Sequence, residues 1–543
     1  MSRWRLETQG FKFAFSRVSG LVSLVCLLSV GETALTQEKP APEAIAKGKE
    51  IYMKRCSFCH GLEGKGDGPA ADYLNPRPRD FTIGSYKLRT TNSGEAPTDE
   101  DLFQTISRGI TGTAMQGFEG VLTDEERRQV IAFIKTFTPD RFEVPPERVE
   151  VGSEKSGSVE KGKEVYHQKA KCWECHGKEG RGDGPGAANL KDDWDFPLFP
   201  ANLTKGWRYK GGTSVRDIFT RFTTGMDGTP MPTFTDTLRE EDRWNLAAYV
   251  RSLIKEEKGG ADVVVHAKRI DQELPLDPND PLWQEAKPRG IPLSGQVIVA
   301  PRWQNPSVDQ ITVRSLYNDK AIGFLLEWDD RFKDAVHKEE PLPPAKDTYA
   351  KVLPEKKWTL RDAVAIQFPV KIPEGIERPY FFLGEPSKPV VLWHWKADGN
   401  EDPKRRTPVE VLRATGPKNP LTPILDKGQV VMGKGMWKDG RWKVVMMRPL
   451  AAKDREKDIA FEAGKLIPIA FYAWDGSNGE QKLLMSLSSW FYLIPEAPTP
   501  LSVYLYAILA ILGGFGAELL LVRWARSRPI ALSPESMVES VGA

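Results

Sequence analysis

"KCWECHGKEGRGDGPG", Lys171 to Gly186, has a close copy earlier in the same chain, "RCSFCHGLEGKGDGPA", Arg55 to Ala70. The chain contains five cysteines, and Cys56, Cys59, Cys172 and Cys175 all lie inside this repeated phrase. The offset of 116 that carries Cys56 onto Cys172 also carries Asp101 onto Asp217, Gly109 onto Gly225, Met115 onto Met231 and Leu122 onto Leu238. The two segments are therefore duplicated modules. Each opens with a helical start, "GKEIY" (Gly48 to Tyr52) or "GKEVY" (Gly162 to Tyr166). Each closes with an amphipathic stretch, "LTDEERRQVIAFIKTF" or "LREEDRWNLAAYVRSL". The apolar spacing predicts helices bracketing each phrase.

The phrase itself is Cys-x-x-Cys-His, the attachment signal for c-type haem. Two thiols one helical turn apart can each form a thioether with a vinyl group of the porphyrin, and the adjacent histidine then reaches the iron. Cys56 and Cys59 with His60, and Cys172 and Cys175 with His176, are thus expected to hold two haem c groups. A methionine from a downstream loop would complete each iron and raise its reduction potential. The second module offers Met226 and Met231, but Met226 aligns with Ile110, whereas Met231 aligns with Met115. Shared position selects Met115 and Met231 as axial ligands. Zinc needs four ligands where each phrase supplies three, and a thioredoxin-type pair needs a preceding strand. His167 stands opposite Met53 and is expected at the surface.

The modules resemble class I cytochromes c over residues 40–140 and 155–258, with "GKGDGPA" and "GRGDGPG" similar to that family's tight loop beneath the haem. Glycines there allow positive φ and close approach to the ring.

At 543 residues the chain has room for several domains. Lys plus Arg (76) nearly balance Asp plus Glu (74), so no overall field points to nucleic acid. Arg3, Arg5, Lys12 and Arg17 precede the apolar run Val18 to Gly31, the order of a secretory signal, expected over residues 1–36. Near the other end, Leu501 to Val522 is apolar apart from Glu518 and is followed by Arg523, Arg526 and Arg528. Its length predicts a transmembrane helix, and the arginines predict a cytoplasmic tail over 523–543. The bulk of the chain is then expected on the periplasmic side of the cytoplasmic membrane.

From Ala261 to Pro495 there is no cysteine, and short apolar runs alternate with turn residues. Runs such as "ITVRSLYND", "AIGFLLEWDD" and "LIPIAFYAWDG" predict a large antiparallel β-sandwich over 262–495. The expected fold class is therefore multidomain: two mainly α cytochrome c domains, an all-β sandwich domain and a C-terminal transmembrane helix.

"DAVAIQFPV" (Asp362 to Val370), "FFLGEPSKPVVLWHWKAD" (Phe381 to Asp398), "WKDGRWKVVMMRPL" (Trp437 to Leu450) and "IAFYAWDG" (Ile469 to Gly476) resemble the haem-binding domain of ethylbenzene dehydrogenase and dimethylsulfide dehydrogenase gamma subunits. Nitrite oxidoreductase and chlorate reductase gamma subunits are related. The resemblance implies a haem b held by methionine and lysine, with Lys434 in "VMGKGMW" the candidate lysine. Leu383 occupies the position where the methionine would be sought; Met432, Met436 and His394 are the other candidates.

The resemblance further implies an electron-transfer subunit whose partners are a molybdenum catalytic subunit and an iron–sulfur subunit. A soluble cytochrome c, a terminal oxidase or a cytochrome b complex would be the redox partner. The other readings are a cytochrome c subunit of a quinol-oxidising complex with the β domain as a docking module, a haem peroxidase, and a sugar-binding β domain carrying cytochromes. The residues offer no nucleophile-base constellation for substrate chemistry.

Overall fold

The computed structural model describes residues 40–527, apart from 153, 256–261, 344–348, 353–355, 375–376, 403, 405–406, 425–430, 452–453, 455–457 and 498–500. The expected export signal and the tail beyond residue 527 lie outside the described residues.

The first module comprises α1 (Pro42–Arg55), α2 (Ser57–His60), α3 (Asp99–Arg108) and α4 (Asp124–Ile134). The second repeats it with α5 (Val159–Glu164), α6 (Trp173–His176), α7 (Val215–Thr224) and α8 (Glu240–Ser252). Glycine sets the crossing of first and last helix in both. A Cβ on Gly48 would lie 1.9 Å from the Gln129 carbonyl oxygen, and one on Gly162 would lie 2.0 Å from that of Asn245. Capping boxes at Thr98/Asp101, Thr123/Glu126 and Ser214/Asp217 start α3, α4 and α7 by satisfying backbone N–H groups that the helix leaves free.

The second module carries two extra residues between its tyrosine and first cysteine. They are absorbed as a π-helical turn, Val165–Lys169, which places His167 half-buried beside Tyr166 and Tyr249. The insertion leaves the motif's anchoring intact: Cys56 N donates to Tyr52 O at 2.8 Å and Cys172 N to Tyr166 O at 2.9 Å.

The region after the modules forms β1 (Val264–Arg269), β2 (Arg289–Pro292), β3 (Ser294–Gly295), β4 (Gln310–Tyr317), β5 (Ala321–Asp329), β6 (Ala363–Pro369), β7 (Val390–Lys396), the single turn α9 (Ala397–Asn400), β8 (Val409–Ala414), β9 (Thr422–Pro423), β10 (Met432–Lys438), β11 (Arg441–Pro449), β12 (Ile467–Trp474), β13 (Ser486–Leu487) and β14 (Phe491–Pro495). They make a 14-stranded sheet whose main path is β10-β11-β5-β4-β1-β14-β12-β6-β7-β8-β9. Pairing is antiparallel, as expected from the short runs, except at β1. That strand runs parallel to both β4 and β14, which are far from it in sequence and joined to it by no hairpin.

The two halves of the path pack face to face through aromatic rings. Phe324 on β5 meets Phe368 on β6 and Trp393 on β7, each at 5.8 Å between centroids, and Trp395 on β7 meets Trp442 on β11 at 5.0 Å. One apolar core runs through both halves. Every residue of β6 and β12 is buried, because a layer covers each of their faces.

The last helix, α10 (Leu501–Ser527), is long and apolar enough to cross a membrane, and none of it is buried in the molecule. It continues five residues past the expected span and takes in Arg523 and Arg526.

Candidate haem sites

Each phrase folds into one helical turn followed by a glycine-rich loop. Gly61, Gly64 and Gly66 have φ of +80°, +75° and +69°, and Gly177, Gly180 and Gly182 repeat this at +79°, +78° and +80°. A side chain at Gly61 or Gly177 would also collide with the carboxylate of Asp67 or Asp183. The loop is tied back at equivalent points: Tyr52 Oη donates to Gly61 O at 2.8 Å, and Tyr166 Oη to Gly177 O at 2.7 Å.

The histidines are oriented alike. Nδ1 of His60 lies 3.0 Å from the carbonyl oxygen of Arg79, and Nδ1 of His176 lies 3.0 Å from that of Ala201. A carbonyl can only accept, so Nδ1 carries the proton and Nε2 is left with its lone pair, as a metal-ligating imidazole requires. Burial lowers both histidines below the usual imidazole range, which favours the neutral form. Burial pushes the Cys56 thiol up to about 11 and Cys172 to about 12. That is the opposite of a redox-active or zinc-binding thiolate environment, and none of the four cysteines is in a disulfide.

The methionine loops match bond for bond. Ile110 N donates to Met115 O at 2.9 Å, and Met226 N to Met231 O at 3.1 Å. Thr113 Oγ1 caps the first turn through Ile110 O and Met115 N, and Thr229 Oγ1 caps the second through Met226 O and Met231 N. Met226 thus occupies the place of Ile110, and Met231 that of Met115.

In the first module His60, both cysteines and Met115 line a single cavity of about 410 Å³, walled by apolar residues including Phe81, Leu102 and Ile106. Its charged lining is cationic and includes Arg79, Lys87 and Lys210. Nη1 of Arg79 is buried with no hydrogen-bond partner among the described residues. Burial, then the neighbouring cations, pull Lys87 down to about 7 and Lys210 to about 8. An apolar slot with a histidine, two thiols, a methionine and cations awaiting counter-charge fits a haem and its two propionates. Lys210 comes from the second module and belongs to no local motif, so only the packing of one module on the other reveals it.

The modules are fixed to each other. Arg89, 1% exposed, donates to Asp227 Oδ1 at 2.8 Å, while Ser93 Oγ and Gly94 N donate to the same carboxylate at 2.9 and 2.8 Å. The second module is fixed to the β region by a buried cluster. Asp309 accepts from Lys205 Nζ at 2.8 Å, Trp207 Nε1 at 2.8 Å and Arg208 Nε at 2.7 Å, and Asp329 at the end of β5 accepts from Asn202 Nδ2 at 2.8 Å. Burial pulls Asp309 upward, but Lys205 and Arg208 outweigh it and hold the carboxyl well below the usual range. The residues after Ala201, the partner of His176, are therefore the ones bolted to β5.

The remaining candidates do not converge. Lys434 is exposed on the terminal strand β10, opposite Val445 and so on the face of the Leu274–Trp283 layer. Leu383 is buried at φ +60° in a cluster on the far side of the other half, with Leu392 and Tyr472. Met432 and Met436 flank Lys434, and Met436 Sδ accepts from Asn279 Nδ2 at 3.2 Å. His394 lies against Trp474, 4.9 Å between rings, with Nε2 lacking a hydrogen-bond partner.

Comparison with known proteins agrees with this division. The family model for cytochrome c matches residues 45–138 and 159–253, and that for ethylbenzene dehydrogenase matches 280–416 and 413–486. A respiratory nitrate reductase haem subunit of Haloferax mediterranei is 26% identical over 231 residues, 42% of this chain and 72% of that protein. The chlorate reductase gamma subunit of Ideonella dechloratans is 34% identical over 134 residues, 24% of this chain; the match spans about half of that relative, 49%. Among solved structures, a chain of the reducing HAO-like protein complex of Kuenenia stuttgartiensis is 45% identical, with 38% of this chain and 96% of that chain covered and a TM-score of 0.37. Two successive stretches of this chain thus match the cytochrome c family, and the region that follows them matches the ethylbenzene dehydrogenase family.

Proposed function

We propose that this chain is an exported, membrane-anchored electron-transfer subunit with two c-type haems, serving a molybdenum respiratory oxidoreductase as its gamma-type subunit. The observation that carries the reading is the duplicated frame in which histidine, methionine loop and glycine loop recur with the same hydrogen bonds. Cys56 and Cys59, and Cys172 and Cys175, are the thioether positions; His60 with Met115, and His176 with Met231, are the axial pairs. When bound, each haem supplies a one-electron couple, and methionine ligation places its potential above that of a bis-histidine site.

The protein's own contribution is orientation and charge. The Arg79 and Ala201 carbonyls hold the imidazoles in one tautomer, and Arg79, Lys87 and Lys210 receive the propionates of the first haem. The proximal loop of the second haem, bolted to β5 through Asn202 and Lys205, makes the β region the natural entry or exit for electrons. A haem held by both a histidine and a methionine would have no open position for substrate, so the chain would conduct and leave substrate chemistry to its partners, a molybdenum and an iron–sulfur subunit. The relation to nitrate and chlorate reductase subunits supports this assembly, and α10 supports anchoring, with the C-terminus cytoplasmic.

A haem b in the β region is part of this reading by resemblance to ethylbenzene dehydrogenase gamma subunits, with Lys434 the candidate ligand and Met432 or Met436 its neighbours; the β region itself is read as a two-layer sandwich. The test is a redox titration of the purified chain with Met115→Ala, Met231→Ala and Lys434→Ala variants. Each methionine change is expected to lower one c-haem potential, and the lysine change to remove b-type absorbance. Two potentials indifferent to both methionines would refute the axial assignment.

A further inference from the structure

Three strand ends of the β region bring acids together. Asp330 follows β5, Asp362 precedes β6 and Asp475 follows β12; they are 3%, 0% and 3% exposed. One oxygen of each lies within 4.8 Å of the other two. Asp362 is well supplied with donors, taking Asp334 N and Trp442 Nε1 on Oδ2 at 2.8 and 2.9 Å and Gly476 N on Oδ1 at 3.0 Å. Asp475 Oδ1 takes Ser477 Oγ at 2.6 Å and Asn478 N at 3.2 Å.

Asp330 differs. Its Oδ1 takes a long bond from Phe332 N, 3.3 Å, while its Oδ2 is wholly shielded and has no donor among the described residues. Oδ2 of Asp334 is in the same condition. An acceptor left bare at this depth costs free energy that a bound cation would recover. The protein meets part of this charge: the buried guanidinium of Arg331 is attracted by Asp475 and Asp330 and lies over the Phe199 ring at 4.9 Å. Glu480 adds a further acid, accepting from Asp475 N at 3.1 Å, so the acids still outnumber that cation. Burial, then mutual repulsion, raises Asp330 and Asp362 far above the carboxylate range, Asp334 to about 7 and Glu480 to about 8.

We propose that Asp330, Asp362 and Asp475, joined by Asp334, form a calcium site that clips the ends of β5, β6 and β12 together. Calcium takes oxygen ligands at about 2.3–2.6 Å, so two ligands of one ion stand at most about 5 Å apart, which fits oxygens that all lie within 4.8 Å of one another. Magnesium demands stricter octahedral geometry at about 2.0–2.1 Å. The site also has a consequence for docking. Asp329, adjacent to Asp330, pairs with Lys205 at 3.3 Å and Arg181 at 3.4 Å of the second cytochrome module, so the ion would stiffen the loop that receives that module.

The experiment uses the full-length holoprotein, stripped with EGTA and desalted, followed by equilibrium dialysis against calcium with metal analysis and by thermal melting. One calcium per chain is expected, with a melting point raised by about 5 °C or more in calcium and not in equimolar magnesium. Asp475→Asn should abolish binding. If that variant does not fold, Asp334→Asn, at the less buried position, decides: calcium affinity falls by about tenfold or more while the haem spectrum is unchanged. Absence of bound calcium, with the same melting point in EGTA and in calcium, overturns the proposal. So does a melting point that climbs on acidification from pH 8 to pH 5 but ignores calcium, since the acids would then be sharing protons.

Discussion

The two cytochrome modules are alike around their Cys-x-x-Cys-His phrases and methionine loops and unlike where they meet the rest of the molecule. Tyr52 and Tyr166, the three positive-φ glycines after each histidine, the Nδ1 bonds at 3.0 Å and the threonine-capped methionine loops recur almost atom for atom. The segment between proximal loop and third helix does not. In the second module it carries Lys205, Trp207 and Arg208 into the β region, and it sends Lys210 into the cavity of the first. Duplication preserved the chemistry, while divergence gave each module its own contact with the β region, the first through Asp72 and Tyr73 and the second through Lys205, Trp207 and Arg208.

The strongest way to break this contrast is at the docking cluster. Asp309→Asn removes the carboxylate that Lys205 and Arg208 share, leaving Lys205 with Asp329, and is expected to cost about 3–5 kcal/mol, seen in calorimetry as the β region and the cytochromes melting separately. Arg89→Ala strands Asp227 at the contact between modules. Asp227 keeps the donors Ser93 and Gly94 and is less deeply buried, so the expected loss is smaller, about 2–3 kcal/mol, in the same measurement.

Lys210→Gln tests the borrowed cation. Removing a positive charge from the lining of the first cavity should lower the potential of a haem held there by on the order of 50 mV and leave the second unchanged. A change in both would mean that the cavity is shared differently. The smallest effect is expected at Met226→Leu, which should alter neither potential nor spectrum, in contrast with Met231→Leu.

Acid separates two classes of buried carboxylate in the same region. Asp309 and Asp329 are buried, but their cations hold them below the usual range. The stability they contribute is complete above about pH 4 and is lost only as pH falls through their depressed values. Asp334 and Glu480 sit at about 7 and about 8. In metal-free protein their folded state holds protons that the unfolded chain has released, so stability falls as pH rises from about 4 toward 8. Melting points in EGTA across pH 4–8 should therefore decline with rising pH while docking stays intact.

What could be read from the sequence follows the range of the interactions involved. Cys56, Cys59, His60 and their copies form one helical turn, and the offset of 116 separated Met231 from Met226 because the loops are equally long. The β region was legible as strands, since apolar runs and turn residues are local signals. Its register was not, so nothing in "VMGKGMW" foretold that Lys434 faces one outer layer and Leu383 the other. Asp330, Asp362 and Asp475 are brought together only by strand order, and Lys210 reaches the first cavity only through the packing of one module on another.

The most direct measurement is a pyridine haemochrome count on the full-length protein and on the Cys56→Ser/Cys59→Ser and Cys172→Ser/Cys175→Ser variants. The account predicts two c-type haems per chain and one in each variant. A count of one in the unaltered, fully loaded protein, or a variant that keeps both, would contradict it.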